Sequence, residues 1–101
     1  TRLQLLRDNV EKTPRLSVVH HNLGVEYYNQ LLYRESYNEY EQAIRLDRYI
    51  NKTQKHLTYY NMGLYFQYVT KETGKADACY EKAKPYYKNH LSFISDFPHI
   101  C

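Results

Sequence analysis

Apolar residues along this chain recur at the three- and four-residue spacing of helices that bury one face. Leu3, Leu6 and Val10 mark the first such face, so Thr1–Lys12 reads as a helix. Thr13-Pro14 then carries a helix-start signal: a hydroxyl cap, followed by proline at the first helical position, where its missing N–H costs nothing. One helix is expected over about Pro14 to Leu31 and another over about Tyr33 to Tyr49. In the latter, Tyr33, Tyr37, Tyr40, Ala43 and Ile44 form a stripe, with Glu35, Glu39, Glu41 and Arg45 toward water. Ile50–Lys55 is a polar connector or a one-turn extension of its neighbours. A further helix should span about Thr53 to Thr70, and Lys71–Lys75 should be a turn with Gly74 as its flexible point. The next helix starts near Gly74 or Lys75, and Pro85 should kink or break it. Tyr86–Ile94 can resume as helix, and Ser95-Asp96-Phe97-Pro98 has the form of one more helix start. The expected fold class is all-α.

Two of these phrases are echoes. His20–Tyr28, HHNLGVEYY, is matched by Tyr59–Gln67, YYNMGLYFQ, and Tyr40-Glu41-Gln42-Ala43 by Tyr80-Glu81-Lys82-Ala83. Gly24 precedes Ala43 by 19 residues, and Gly63 precedes Ala83 by 20. Glycine inside a helix costs about 1 kcal/mol relative to alanine, so its recurrence at one place in both copies points to a site where another helix presses close. Ala43, Ala76 and Ala83 would be the small partners, and Tyr27, Phe66, Tyr40 and Tyr80 the bulky ones, with the glycine-notched helices docking against helices notched by alanine.

Both units resemble the tetratricopeptide repeat, a helix-turn-helix of about 34 residues. Counted from Ser17, the first unit matches at Leu23, Gly24, Tyr27, Tyr40 and Ala43, with Ser36 a small stand-in for alanine; His20 replaces the usual tryptophan and Arg48 the closing proline. Counted from His56, the second matches at Tyr59, Met62, Gly63, Phe66, Ala76, Tyr80 and Ala83, allowing one inserted residue in its turn; Pro85 comes too early for the closing proline. Gly24 and Gly63 lie 39 residues apart, five more than the usual period of about 34. The resemblance divides the chain into residues 1–12, the second helix of a preceding partial repeat or a capping helix; 13–50, the first repeat; 51–90, the second; and 91–101, the start of a further helix or a tail. Pro14 falls where a preceding repeat would close, so the chain reads as a piece of a longer array.

In this family helix pairs stack as a right-handed superhelix whose first helices line a concave groove. Transferred position by position, the groove comprises Val18, His21, Asn22, Val25, Tyr28 and Asn29 in the first unit and Leu57, Tyr60, Asn61, Leu64, Gln67 and Tyr68 in the second. This set is apolar, aromatic and amide-bearing. An amide both donates and accepts, so Asn22 and Asn61 suit an extended main chain; Val25, Leu64, Tyr28, Tyr60 and Tyr68 would take its side chains. Some members of the family clamp acidic C-terminal tails with Lys and Asn; Asn61 matches one such position, but His21 and Val25 occupy others. Long repeats with paired groove asparagines also resemble bacterial tetratricopeptide sensors of short signalling peptides. The resemblance therefore implies a non-catalytic protein- or peptide-binding module. It equally allows a scaffold segment that self-associates through its end helices, or the regulatory domain of a bacterial sensor.

Composition narrows the chemistry. With 101 residues and 43% apolar content the chain fits one domain, and its 13 tyrosines make the core amphipathic. No run approaches the ~18 apolar residues of a membrane span. Cys79 and Cys101 make no disulfide framework, which favours a reducing, cytoplasmic setting. His20 and His21 are adjacent and point about 100° apart on a helix, and no metal-ligand spacing is present. Cys79 lacks a histidine at a telling spacing, and Gly24, Gly63 and Gly74 are isolated, so neither a nucleophile site, a phosphate loop nor a cofactor is indicated. Lys82–Lys88, KAKPYYK, has the composition of a nucleic-acid surface, but a net charge of +3 argues against that partner.

Overall fold

The computed structural model describes residues 1–46 and 52–88. Within them the protein is all-helical: α1 (Arg2–Lys12), α2 (Ser17–Asn29), α3 (Tyr33–Arg45), α4 (Lys52–Leu64) continued by a π-helical turn (Tyr65–Val69), and α5 (Thr73–Lys88). Arg48, the rest of the connector between α3 and α4, and the expected helix start at Ser95–Pro98 lie outside the described residues, as does the second cysteine.

Local chemistry sets the boundaries. Thr1 caps α1 by accepting from the Gln4 N–H at 3.2 Å. Thr13 does not cap α2: its hydroxyl donates back to the Asn9 carbonyl at 3.0 Å, closing α1. Pro14 and Arg15 therefore form a turn, bridged by the Leu16 N–H on the Thr13 carbonyl, and α2 begins three residues later than its sequence signal. The C-terminus of α2 is wrapped by two bonds, Leu32 N–H to Tyr27 O at 2.9 Å and Leu31 N–H to Tyr28 O at 3.0 Å. This wrap forces Leu31 to φ 64°, a conformation usually left to glycine. Lys71 adopts the same φ after α4.

Leu31 follows Gly24 by seven residues, whereas Lys71 follows Gly63 by eight; from there on the two units keep step, with Tyr40 and Tyr80 each nine residues further. The inserted residue thus sits inside the helix and not in the turn. It is absorbed by the π-helical stretch, whose Thr70 N–H reaches back five residues to the Tyr65 carbonyl at 3.2 Å. The expected Lys71–Lys75 turn is correspondingly short. Gly74 lies in the first turn of α5, and the helix passes Pro85 to end at Lys88.

Each first helix docks on its second helix through the glycine. A Cβ on Gly24 would stand 2.7 Å from Cε1 of Tyr40, and one on Gly63 2.5 Å from Cε1 of Tyr80. The nearest atoms in the notches are thus those of tyrosine rings, and the alanines expected as partners, Ala43, Ala76 and Ala83, are buried. The main core joins the units: Tyr37 of α3 stacks on Tyr65 at 4.7 Å and meets Phe66 edge-on at 5.1 Å. A smaller cluster packs Leu3, Leu6 and Val10 of α1 on Leu23 and Tyr27 of α2. Arg7 reinforces it by donating to the Tyr27 hydroxyl at 3.1 Å.

Candidate functional site

The residues transferred to the groove lie on α2, on α4 and on its π-helical turn, and polar bonds tie these elements together. His21 of α2 lies with Nδ1 2.6 Å from the Thr58 hydroxyl of α4. That hydroxyl spends its single proton on the Gln54 carbonyl at 2.8 Å, so His21 must be the donor, in the Nδ1–H form. Burial lowers the His21 pKa to about 4, which keeps the ring neutral. With 3% exposure and its ring 5.8 Å from Tyr40, His21 belongs to the joint between the units. Tyr60 is likewise buried, its ring 5.9 Å from that of Tyr80. These two residues, expected to face a ligand, are instead covered: His21 where α2 meets Thr58 of α4, and Tyr60 against Tyr80 within its own unit.

The other ten remain at least partly accessible. Asn22, Asn29 and Tyr68 are exposed. Val18 is half-buried, as are Val25, Leu57 and Leu64, whose inner sides rest on the core. Tyr28 is half-buried and meets Tyr33 edge-on at 5.2 Å; burial, with Tyr33 and Tyr68 nearby, raises its pKa. Asn61 and Gln67 are half-buried and each is held by a tyrosine from a second helix. Asn61 Nδ2 donates to the Tyr40 hydroxyl at 3.3 Å, and the Tyr80 hydroxyl donates to Gln67 Oε1. Burial pushes the Tyr40 hydroxyl up to about 12 and raises Tyr80 as well, so both stay protonated at neutral pH.

Sequence reasoning missed these two hydroxyls and Thr58. The signal was present: both copies carry tyrosine and not phenylalanine beside the glycine notch, and a buried phenol needs a polar partner. None of these ten residues is Asp, Glu, Lys or Arg.

Neither a protein-family model, nor a curated protein sequence, nor a solved structure matches this chain.

The remaining polar clusters are structural. His20 stands where the repeat pattern would have tryptophan; its Nδ1 lies 2.8 Å from Glu39 and its Nε2 2.6 Å from the Pro14 carbonyl, tying the α1–α2 turn to α3. Cys79 is buried and free, and burial raises its pKa, which removes the features of a reactive thiol. Among the described residues no group of three or more His, Cys, Asp or Glu side chains is placed to hold a metal ion, and no helix is long and apolar enough to cross a membrane. A cleft of about 500 Å³ opens among Ile44, Tyr59 and Met62, rimmed by Glu41, Arg45 and Lys82. None of the groove residues lines it.

Proposed function

We propose that this protein is a tetratricopeptide-type module, its helix pairs stacked as a right-handed superhelix, and that it binds a peptide or protein segment without catalysis. The duplicated docking supports this reading: Tyr40 in the Gly24 notch and Tyr80 in the Gly63 notch give both units one internal geometry. A duplicated geometry presents equivalent faces of α2 and α4 side by side. The ligand surface on this reading is the uncharged face of Asn22, Val25, Tyr28, Asn61, Leu64 and Tyr68. Its apolar side chains supply contact area, and its amides suit a main chain.

The test is selection from a displayed library of random twelve-residue peptides, followed by titration of the winners. Leu64→Glu should abolish binding and Asn61→Ala should weaken it by about 1–3 kcal/mol, the cost of leaving a buried partner unpaired. Winners indifferent to both substitutions would refute the assignment. A second reading, a segment of a longer scaffold, draws support from large apolar side chains left in water at the ends of both first helices: Leu31, 69% exposed, and Val69, 40% exposed. Sedimentation separates the two, since a scaffold segment should self-associate.

A further inference from the structure

The cleft of about 500 Å³ is built by three helices, with Glu41, Ile44 and Arg45 from α3, Tyr59 and Met62 from α4, and Lys82 from α5. Its volume is in the range of small-molecule sites. Met62 is buried and Ile44 and Tyr59 are half-buried, so these three give the cleft an apolar lining. Lys82 Nζ lies 5.2 Å from the centroid of the Tyr59 ring, a cation–π contact that holds the ammonium beside that lining. The backbone beneath it is fixed as well. His56 Nδ1 lies 2.9 Å from the Lys82 carbonyl and, since a carbonyl only accepts, must donate to it. Arg45 donates through Nη2 to Gln42 Oε1, a neutral partner, which leaves its remaining N–H groups for another acceptor. Glu41 accepts from the Tyr37 hydroxyl at 3.3 Å. Among the described residues, no ion pair joins these three charged side chains to one another or to any other group.

We propose that this cleft is a second ligand site, which takes a small monocarboxylic acid carrying one apolar group. The charges pick the acid. Two cations, Arg45 and Lys82, stand against one carboxylate, Glu41, and leave one positive charge in excess. An amine would add to that excess, and a neutral molecule would leave it unbalanced. A phosphate dianion would overshoot it and bring a second negative charge toward Glu41. A single carboxylate matches it, and the planar fork of Arg45 suits carboxylate oxygens. The lining sets the rest: three apolar side chains offer contact to one ring or one branched chain, and the flexible thioether of Met62 adapts to either. In the echo of Tyr40–Ala43 by Tyr80–Ala83, Lys82 stands where the first unit has Gln42, so only the second unit supplies a cation there. No groove residue lines the cleft, so this site stands or falls apart from the groove-binding reading.

The experiment titrates the full chain with phenylpropionate, using phenylpropanamide, phenylpropylamine and inorganic phosphate as controls, and follows methyl resonances by NMR. Met62 is the single methionine of the chain, so its methyl signal is unambiguous. Phenylpropionate should shift the Met62 and Ile44 methyls saturably in the millimolar range, whereas the amine and inorganic phosphate should give no saturable shift. Arg45→Gln and Lys82→Gln should each weaken the acid about 3-fold, the scale of solvent-exposed charge pairs, and Glu41→Gln should tighten it about 2-fold. The double variant, and the amide with the parent protein, should each show a loss of about 10-fold. Arg45 and Lys82 are both exposed, so these variants should keep the circular dichroism spectrum and Tm of the parent. An acid that fails to saturate, an amide, amine or phosphate that binds as well as the acid, or a double variant with the affinity of the parent would each overturn the site.

Discussion

The three glycines provide a direct test of the packing, because their substitution by alanine should go in opposite directions. A Cβ at Gly63 would lie 2.5, 2.7 and 3.0 Å from Cε1, Cδ1 and Cζ of Tyr80, where ordinary carbon contacts need about 3.5–4.0 Å. The ring has no room to retreat: it is 4% exposed, lies against Tyr60 and is held at its hydroxyl by Gln67. Overpacking of this kind costs up to about 3 kcal/mol, and the better helix propensity of alanine returns about 1 kcal/mol. Gly63→Ala should therefore destabilise by about 2 kcal/mol. Gly24→Ala should cost slightly less, because its nearest ring contacts are 2.7 and 2.8 Å, with the Ser36 carbonyl at 3.2 Å. Gly74 has nothing within 4 Å of its added Cβ, so Gly74→Ala should gain up to about 1 kcal/mol. Urea unfolding followed by far-ultraviolet circular dichroism reads all three. In a Tyr80→Leu background the Gly63→Ala penalty should largely vanish. A Gly63→Ala variant as stabilised as Gly74→Ala would refute the notch.

Two further perturbations test other parts of the molecule. His21 has a folded pKa of about 4, below its unfolded value of 6.5, so the unfolded chain takes up the proton first. Stability is complete above pH 6.5 and should fall by about 3 kcal/mol as pH drops through 6.5 toward 4, a slope that His21→Gln should flatten in denaturant titrations. Leu31 carries an unfavourable positive φ while exposed to water, so Leu31→Gly should raise stability by about 1 kcal/mol in thermal unfolding; an unchanged or lower midpoint would argue against the αL wrap.

The helical class and the order of elements were legible because the apolar spacing and the echoed glycine and tyrosine positions recur in both copies. Tyr40 and Tyr80 could be picked out as bulky partners, but which small residue received them could not, since glycine and alanine both fit a close approach. The start of α2 was misjudged because Thr13 has one hydroxyl and two possible uses; the α1 terminus took it. The site was legible only in outline. Counting along α2 and α4 lists candidate positions, but the burial of His21 depends on how Thr58 of α4 settles on α2, and that of Tyr60 on the ring of Tyr80, which no local pattern encodes. The extra residue of the second unit was visible as a count, yet its location was not: a π-helical turn uses the same residue types as the helix around it.

That one wide turn makes the two halves unequal beyond it. Counted from the glycines, Gln67 and Tyr68 put an amide and then a phenol where Tyr28 and Asn29 put a phenol and then an amide, and they sit in the π-helical stretch that α2 lacks. A strand laid across two identical rods could slide by a full unit or reverse its heading and find the same landscape. Here the order of groups differs, so a segment bound as proposed would be held to one direction and one alignment.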